Sequence, residues 1–392
     1  MITDRRTGVV TALHHERLPV GLHVTHADLA WLGPTGGRPT VSGASWNAPD
    51  AATAAALGEA MERYCGHLQP KGTRVDTWHA LTGNGSPAAD PRLLALYRPD
   101  QTVPFTGINR GDRIRWAPAT SPNGGRAWVP ASLCSLSPPP TGPTPHLPVA
   151  AGIAAGPTLT HARAVALAEV VERHALATCW HAGSRFPLLD EAVPGFPGML
   201  RAVPNLLSAP VVLAVLEDDD GLLGVGCALA PDVPTAAVKA AAEACQSLRT
   251  VQLVANGVVD WQPLHAHRRD RRYADSYAAD LSDVTDIVCH AQLLADPRVA
   301  AAVTARLATG DPTPERHGWA TTGPDLDAAL AAVDLTPLSV DLTTPDAAVA
   351  GYRVVRVVVS GLRSTAPAAF PFLGPGAEPL PDRPCLLPVP HV

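Results

Sequence analysis

The chain has 392 residues, 46% of them hydrophobic, and a net charge of −6, a length that suits one large α/β unit or two to three ordinary domains. That apolar share excludes a globally disordered chain, and the acidic balance gives no electrostatic case for nucleic acid or an anionic membrane as the main partner. No run approaches the roughly 18 apolar residues of a transmembrane helix, and the N-terminus lacks the apolar centre of a signal peptide, so a soluble cytoplasmic protein is expected.

Residues 1–41 read as one or two strands leading into a core, with Gly36-Gly37 as a turn. Asn47 is the candidate N-cap of a first helix, Pro49 suits its first turn, and the helix should run to about Cys65 before Gly66 stops it. Residues 70–110 are loop-rich, with one helix expected over 91–97. Asn123-Gly124-Gly125 lies between two β-rich runs and is the strongest hairpin signal in the chain. The Pro-rich run over 137–145 reads as an extended connector, dividing a single domain into halves of about 1–140 and 150–392.

A second helix is expected from Thr158 or Thr160 to about Trp180. Two apolar strands, 209–216 and 222–229, flank Asp218-Asp219-Asp220-Gly221 as a further hairpin. Asp232 and Pro234 open a third helix to about Ala255. The basic run from His265 to Arg272 reads as a solvated loop. Beyond it, residues 299–307 are expected to be helical and 352–359 to form a β-branched strand, with a Pro-rich tail over 381–392. Cys65, Cys179, Cys227 and Cys245 sit in apolar segments and no CxxC pair occurs, which points to reduced packing residues rather than zinc ligands or disulfides.

The helices carry a repeat. Ala56 to Arg63 and Ala166 to Arg173 both read ALxExxER, 110 residues apart. The third helix repeats the outline with Glu243, Gln246 in place of the second glutamate, and Arg249 moved two residues on. A lone ExxER is ordinarily a solvated face worth about 0.2–0.5 kcal/mol per ion pair. Only 17% of this chain is charged and these helices are otherwise apolar, so general solubility does not explain the acidic edges. Glu59, Glu62, Glu169, Glu172 and Glu243, brought together, repel unless a cation lies between them, and an all-oxygen ligand set points to Mg²⁺ rather than zinc. Arg63, Arg173 and Arg249 offer planar donors for phosphate oxygens. Lys71 and Lys239 are the only lysines and neither lies in a P-loop. Gly224-Val225-Gly226 falls inside an expected strand, so it is not a dinucleotide-binding turn. The residues alone lead to a Mg-nucleotide site.

The run SGxxxxxPxxAxxxALGExxERYCG, then AAGxTLxxAxxxxLxEVxERxA, AxxEACQS and VVRVVVSGL with a Pro-rich end, resembles a YcaO-domain protein over residues 40–390. The resemblance implies an α/β (α+β) fold of internally repeated strand–helix units, with ATP and Mg²⁺ held between the Glu-bearing helices. It also implies phosphorylation of a peptide-backbone amide and attack by a nucleophile. By this similarity Glu59, Glu62, Glu169 and Glu172 hold Mg²⁺, and Arg63, Arg173, Glu243, Gln246 and Arg249 bind the nucleotide. Ser45 stands where the family has a lysine, Ala55 replaces a serine, Pro157 an asparagine and His161 a glutamate, and each change removes a nucleotide contact.

The leading expectation is a cyclodehydratase that acts on a ribosomal precursor peptide to form an azoline or macrocyclic amidine. A catalytically degenerate scaffold in a modifying complex is the second reading, and an unrelated metal-dependent hydrolase the third. No leader-binding domain is evident before residue 40, so peptide recognition is expected to be short, internal or supplied by a partner protein. A homodimer follows from the resemblance alone. The tail is either a disordered extension or a strap that delivers a terminal carboxylate to the site.

Overall fold

The computed structural model describes residues 2–30, 39–46, 48–94, 96–137, 144–256, 277–308 and 323–391. Asn47, Gly36-Gly37, the basic run 265–272 and most of the Pro-rich connector lie outside these residues.

The chain opens with an antiparallel sheet of β1 (Val10–Arg17), β2 (His23–Leu29) and β3 (Thr40–Ser45), in that order. The sheet packs on α1 (Pro49–Gly66), which starts with Pro at its first position and no side-chain cap from Ala48. Next come β4 (Arg74–Asp76) and α2 (Trp78–Gly83), capped by the Thr77 hydroxyl on the Ala80 N–H. The expected helix over 91–97 is only a 3₁₀ turn, Pro91–Leu93, capped by Asp90. Arg98 instead turns back, its N–H bonded to the Gln101 side chain.

The Asn123-Gly124-Gly125 hairpin forms as expected between β5 (Ile114–Thr120) and β6 (Arg126–Pro130). Then follow β7 (Ile153–Gly156) and α3 (Leu159–His181), with Thr158 as the cap, accepting from the His161 N–H. A second sheet has the order β10-β9-β8, from β8 (Met199–Ala202), β9 (Val211–Glu217) and β10 (Leu223–Leu229). It leads into α4 (Val233–Ala255), capped by Asp232 on the Thr235 N–H. The remaining elements are α5 (Cys289–Leu294), α6 (Pro297–Leu307), α7 (Leu326–Ala331), β11 (Pro337–Asp341), α8 (Pro345–Val349) and β12 (Arg353–Val359).

The third sheet has the order β4-β5-β11-β12-β7, with β6 paired to β5. It joins strands from both sides of the Pro-rich connector, so the two halves share hydrogen bonds as well as apolar contacts. The glycines of β10 explain the alanines of α4. A Cβ on Gly226 would overlap Ala240 O and the Ala244 N–H, so Gly on the strand and Ala on the helix allow the two backbones to approach closely. Ala236, Ala237, Ala240, Ala241 and Ala244 are all fully buried in the largest core. None of the seven cysteines forms a disulfide, and Cys65, Cys179, Cys227 and Cys245 are buried among apolar side chains as expected. No helix among the described residues is long and apolar enough to cross a membrane.

Candidate active site

Glu59 and Glu62 project from α1, Glu169, Glu172 and Arg173 from α3, and Glu243 from α4. All six line one cleft of about 590 Å³, with Lys239 and His161 on its wall. The 3- and 4-residue spacings put each ExxER set on one helix face.

Backbone N–H groups hold four of these carboxylates. Glu62 Oε1 accepts from Ala155 at 2.8 Å and Glu169 Oε2 from Gly152 at 2.8 Å. Glu172 Oε2 accepts from Leu229 at 2.8 Å and Glu243 Oε2 from Cys227 at 3.2 Å. The donors lie on β10, on β7 and in the turn just before β7. The fifth carboxylate, Glu59, pairs with Arg63 Nη2 at 2.6 Å.

The charges remain out of balance. Burial and repulsion from Glu59 and Glu169 raise the Glu62 pKa well above the usual carboxylate range. Burial, opposed by Arg173 and reinforced by Glu243 and Glu169, pushes Glu172 up to about 8. Burial also raises Glu243, against the pull of Arg173. Burial would lower Arg63 and Arg173, but the surrounding glutamates outweigh it and raise both. Glu172 Oε1 and Arg173 Nη1 are buried without hydrogen-bond partners, although Arg173 Nη2 stands 3.5 Å from Glu172 Oε1. An orphaned carboxylate oxygen beside an orphaned guanidinium N–H fits a divalent cation next to a phosphate oxygen.

No group of three metal-ligating side chains closes together among the described residues. The carboxylates share a cleft without forming an all-protein cage. Mg²⁺ needs no such cage, because it is held by one or two carboxylates together with waters and substrate phosphates.

Three expected members, Arg249, Gln246 and Arg63, do not line the cleft. Arg249 Nη2 pairs with Glu16 Oε1 at 2.8 Å and lines a separate groove with Leu18, Leu216 and Gln252; Gln246 lines neither. A helix turns about 100° per residue, so an arginine six residues beyond Glu243 points to a different face from one four residues beyond Glu59 or Glu169. The displaced arginine of the third repeat is thus a correction to the expected cradle. Arg63, bound to Glu59, lies outside the cleft wall.

A second cavity of about 630 Å³ adjoins the cleft through Glu59, Glu62, His161 and Val165. Ala55, Gly58, Pro157 and Gly156 line it, so three of the four departures from the family pattern meet on one wall. Tyr352 and His161 also line it. Ser45 sits at the end of β3, paired with His23.

The tail is ordered through His391. Cys385 exchanges two backbone-range bonds with His181, its N–H donating to His181 O at 2.9 Å and its carbonyl accepting from the imidazole at 2.7 Å. Trp180 Nε1 donates to Leu387 O at 2.8 Å, and His290 donates to Val389 O at 3.0 Å. This overturns the disordered alternative. Burial, with Arg173, His290 and Arg63 as further positive charges, holds the His391 pKa well below its usual value. Val392 lies outside the described residues. The backbone donors were missed from sequence, since backbone groups leave no residue-type signal, whereas a docked tail was one of the two expected readings.

Buried carboxylates facing the Arg173 guanidinium in one cleft fit a cation- and phosphate-binding α/β protein. The family model described as YcaO cyclodehydratase, ATP- and Mg²⁺-binding, matches residues 47–363; the chain belongs to the YcaO family, whose cofactors are ATP and Mg²⁺. Among solved structures, a heterocyclase in complex with substrate and cofactor is similar at a TM-score of 0.72 and 22% identity, over 96% of this chain and 52% of that one. The chain thus spans about half the length of that relative. YcaO from Methanopyrus kandleri bound with AMPPCP and Mg²⁺ gives a TM-score of 0.63 at 17% identity, over 96% of this chain and 90% of that one. A chain of the E. coli microcin synthetase McbBCD complex with pro-MccB17 bound gives 0.64 at 12% identity, over 97% and 96%. Comparison with curated proteins gave no match.

Proposed function

We propose that this protein is an ATP-dependent cyclodehydratase acting on a ribosomally synthesised precursor peptide. A backbone amide oxygen is phosphorylated, a nucleophile adds to the carbonyl carbon, and phosphate leaves, giving an azoline or a macrocyclic amidine. The observation that carries this reading is the cleft of five glutamates from three helices with Arg173, holding an orphaned carboxylate oxygen and an orphaned guanidinium N–H.

Glu59, Glu62, Glu169 and Glu172 would hold Mg²⁺, Glu243 would complete the site on the nucleotide side, and Arg173 would meet phosphate oxygens. When bound, ATP would supply the phosphoryl group and Mg²⁺ the positive charge that offsets the carboxylates. The chain's own part is to keep those carboxylates oriented through Ala155, Gly152, Leu229 and Cys227. The peptide substrate, a homodimer, a leader-recognition partner and a cytoplasmic location belong to the same proposal, supported by family membership. Replacing Glu59 or Glu169 with Gln should abolish peptide-dependent ATP hydrolysis; full activity in either variant would sink the assignment.

A second reading, a degenerate scaffold, draws on the Ala55, Pro157 and His161 wall of the adjoining cavity. Calorimetry with Mg-ATP separates the two, because no binding up to millimolar nucleotide favours the scaffold.

A further inference from the structure

A small cavity of about 80 Å³ shares no lining residue with the cleft, and the proposed reaction makes no use of it. Apolar side chains such as Leu133 and Phe372 form most of its wall, yet Arg356 and Arg363 both open onto it. The two guanidinium residues are 5% and 2% exposed. Neither lies within ion-pair distance of a carboxylate among the described residues. The acidic groups that act on them from farther away are committed elsewhere: Glu169 faces Arg173, and Glu378 is bonded to His174.

Backbone carbonyls take part of the load. Arg363 donates through Nε to Phe372 O, through Nη1 to Glu378 O and through Nη2 to Gly374 O. Arg356 Nη1 donates to Val149 O at 2.7 Å and Ala151 O at 2.9 Å. Carbonyls satisfy N–H groups but do not neutralise a charge, and a buried cation without a counter-ion is costly. Two donors are left over on the cavity wall, since Arg356 Nε and Ser364 Oγ are both buried without a hydrogen-bond partner. His146, also on the wall, is occupied at both ring nitrogens by Leu147 O and Ser132 Oγ.

The geometry points to a binding site for one small oxyanion, of phosphate or carboxylate type, between Arg356 and Arg363, with Arg356 Nε and Ser364 Oγ as its donors. The volume suits such an ion. A single water needs roughly 10–15 Å³, so about 80 Å³ accommodates a tetrahedral or planar oxyanion but no nucleotide. The occupant would share an anchor with the cleft. Arg356 holds the carbonyls of the turn that ends at Gly152, and the Gly152 N–H holds Glu169. At φ +90°, with a Cβ there overlapping Val170 and Val357 O, Gly152 fixes that turn tightly.

The inference stands apart from the proposed function, and its test needs neither ATP nor peptide. The metal-free, nucleotide-free protein would be titrated calorimetrically with inorganic phosphate and with acetate, with chloride as the control. Ser364→Ala is the decisive variant, because Ser364 does not line the cleft and supports no element. Losing its hydroxyl should weaken binding about tenfold. Phosphate binding weakened in this way identifies a phosphate-type ligand; acetate binding weakened in the same way identifies a carboxylate group. If neither anion binds, or if binding is unchanged in Ser364→Ala, the cavity holds only water and the inference is overturned.

Discussion

Glu62 and Glu172 occupy the same place in their two helices and are held by the same device. Each accepts, at 2.8 Å, the backbone N–H of the residue three positions before the N-cap of the next Ala-rich helix: Ala155 before Thr158, and Leu229 before Asp232. The sequence repeat is therefore also a repeat of tertiary hydrogen bonding, in which each unit's second glutamate is fixed by the strand that opens the following unit.

That arrangement predicts the pH dependence of the metal-free protein. The folded Glu172 pKa is raised to about 8 from an ordinary carboxylate value, so the folded state retains its proton longer than the unfolded state. Stability from this group is full below the unfolded pKa and is lost as pH rises toward 8. The melting temperature should fall between pH 5.5 and 8. In Glu172→Gln, which keeps an acceptor for Leu229, that slope should flatten, as read by thermal melts without Mg²⁺.

Arg173 and Arg249 should separate by function, since only Arg173 lines the cleft. Arg173→Ala removes the guanidinium facing the cleft and should reduce peptide-dependent ATP turnover at least about 100-fold, a loss of roughly 2.7 kcal/mol in transition-state stabilisation. Arg249→Ala breaks a partly exposed pair with Glu16, worth about 0.2–1 kcal/mol, and should leave turnover within about twofold. Steady-state kinetics of the two variants side by side would reverse this assignment if Arg249→Ala proved the more damaging.

Gly226→Ala tests the close packing of β10 on α4. The added Cβ would overlap Ala240 O, and separating a strand from its helix costs about 1–3 kcal/mol. Chemical denaturation should show a lower midpoint with an unchanged slope.

Docking of the tail should be visible as stability. Val389 is 3% exposed in the largest core, and trimming it to Ala should cost about 1–2 kcal/mol. Removal of residues 385–392 also strands Trp180 Nε1 and His181, and should lower the melting temperature further. A truncated protein that melts like the full chain would show that the tail does not pack.

The three Ala-rich helices, the caps Thr158 and Asp232 and the hairpin at Asn123-Gly124-Gly125 were legible because their signals are local: a capping side chain, a helical period, a turn dipeptide. The grouping of the glutamates was legible through repetition. Residues 91–97 were misread because Pro91 with Asp90 marks a helix start, while nothing in the composition reveals that the chain turns back at Arg98. β3 and β11 were missed since each owes its strand to partners elsewhere in the chain. The departure of Arg249 from the cleft could have been read from its spacing, two residues out of step with the other copies.

The pairing of β7 with β12 has a consequence for synthesis. Ala155 aligns with Val354, and Ile153 with Arg356, so a strand made early waits some 200 residues for its neighbour. Contacts so distant in sequence form late in folding. The N–H groups that orient Glu62 and Glu169 lie on β7 and the turn before it. A growing chain therefore carries its acidic helices well before it can aim them, and the site gains its final shape only once the last strand has left the ribosome.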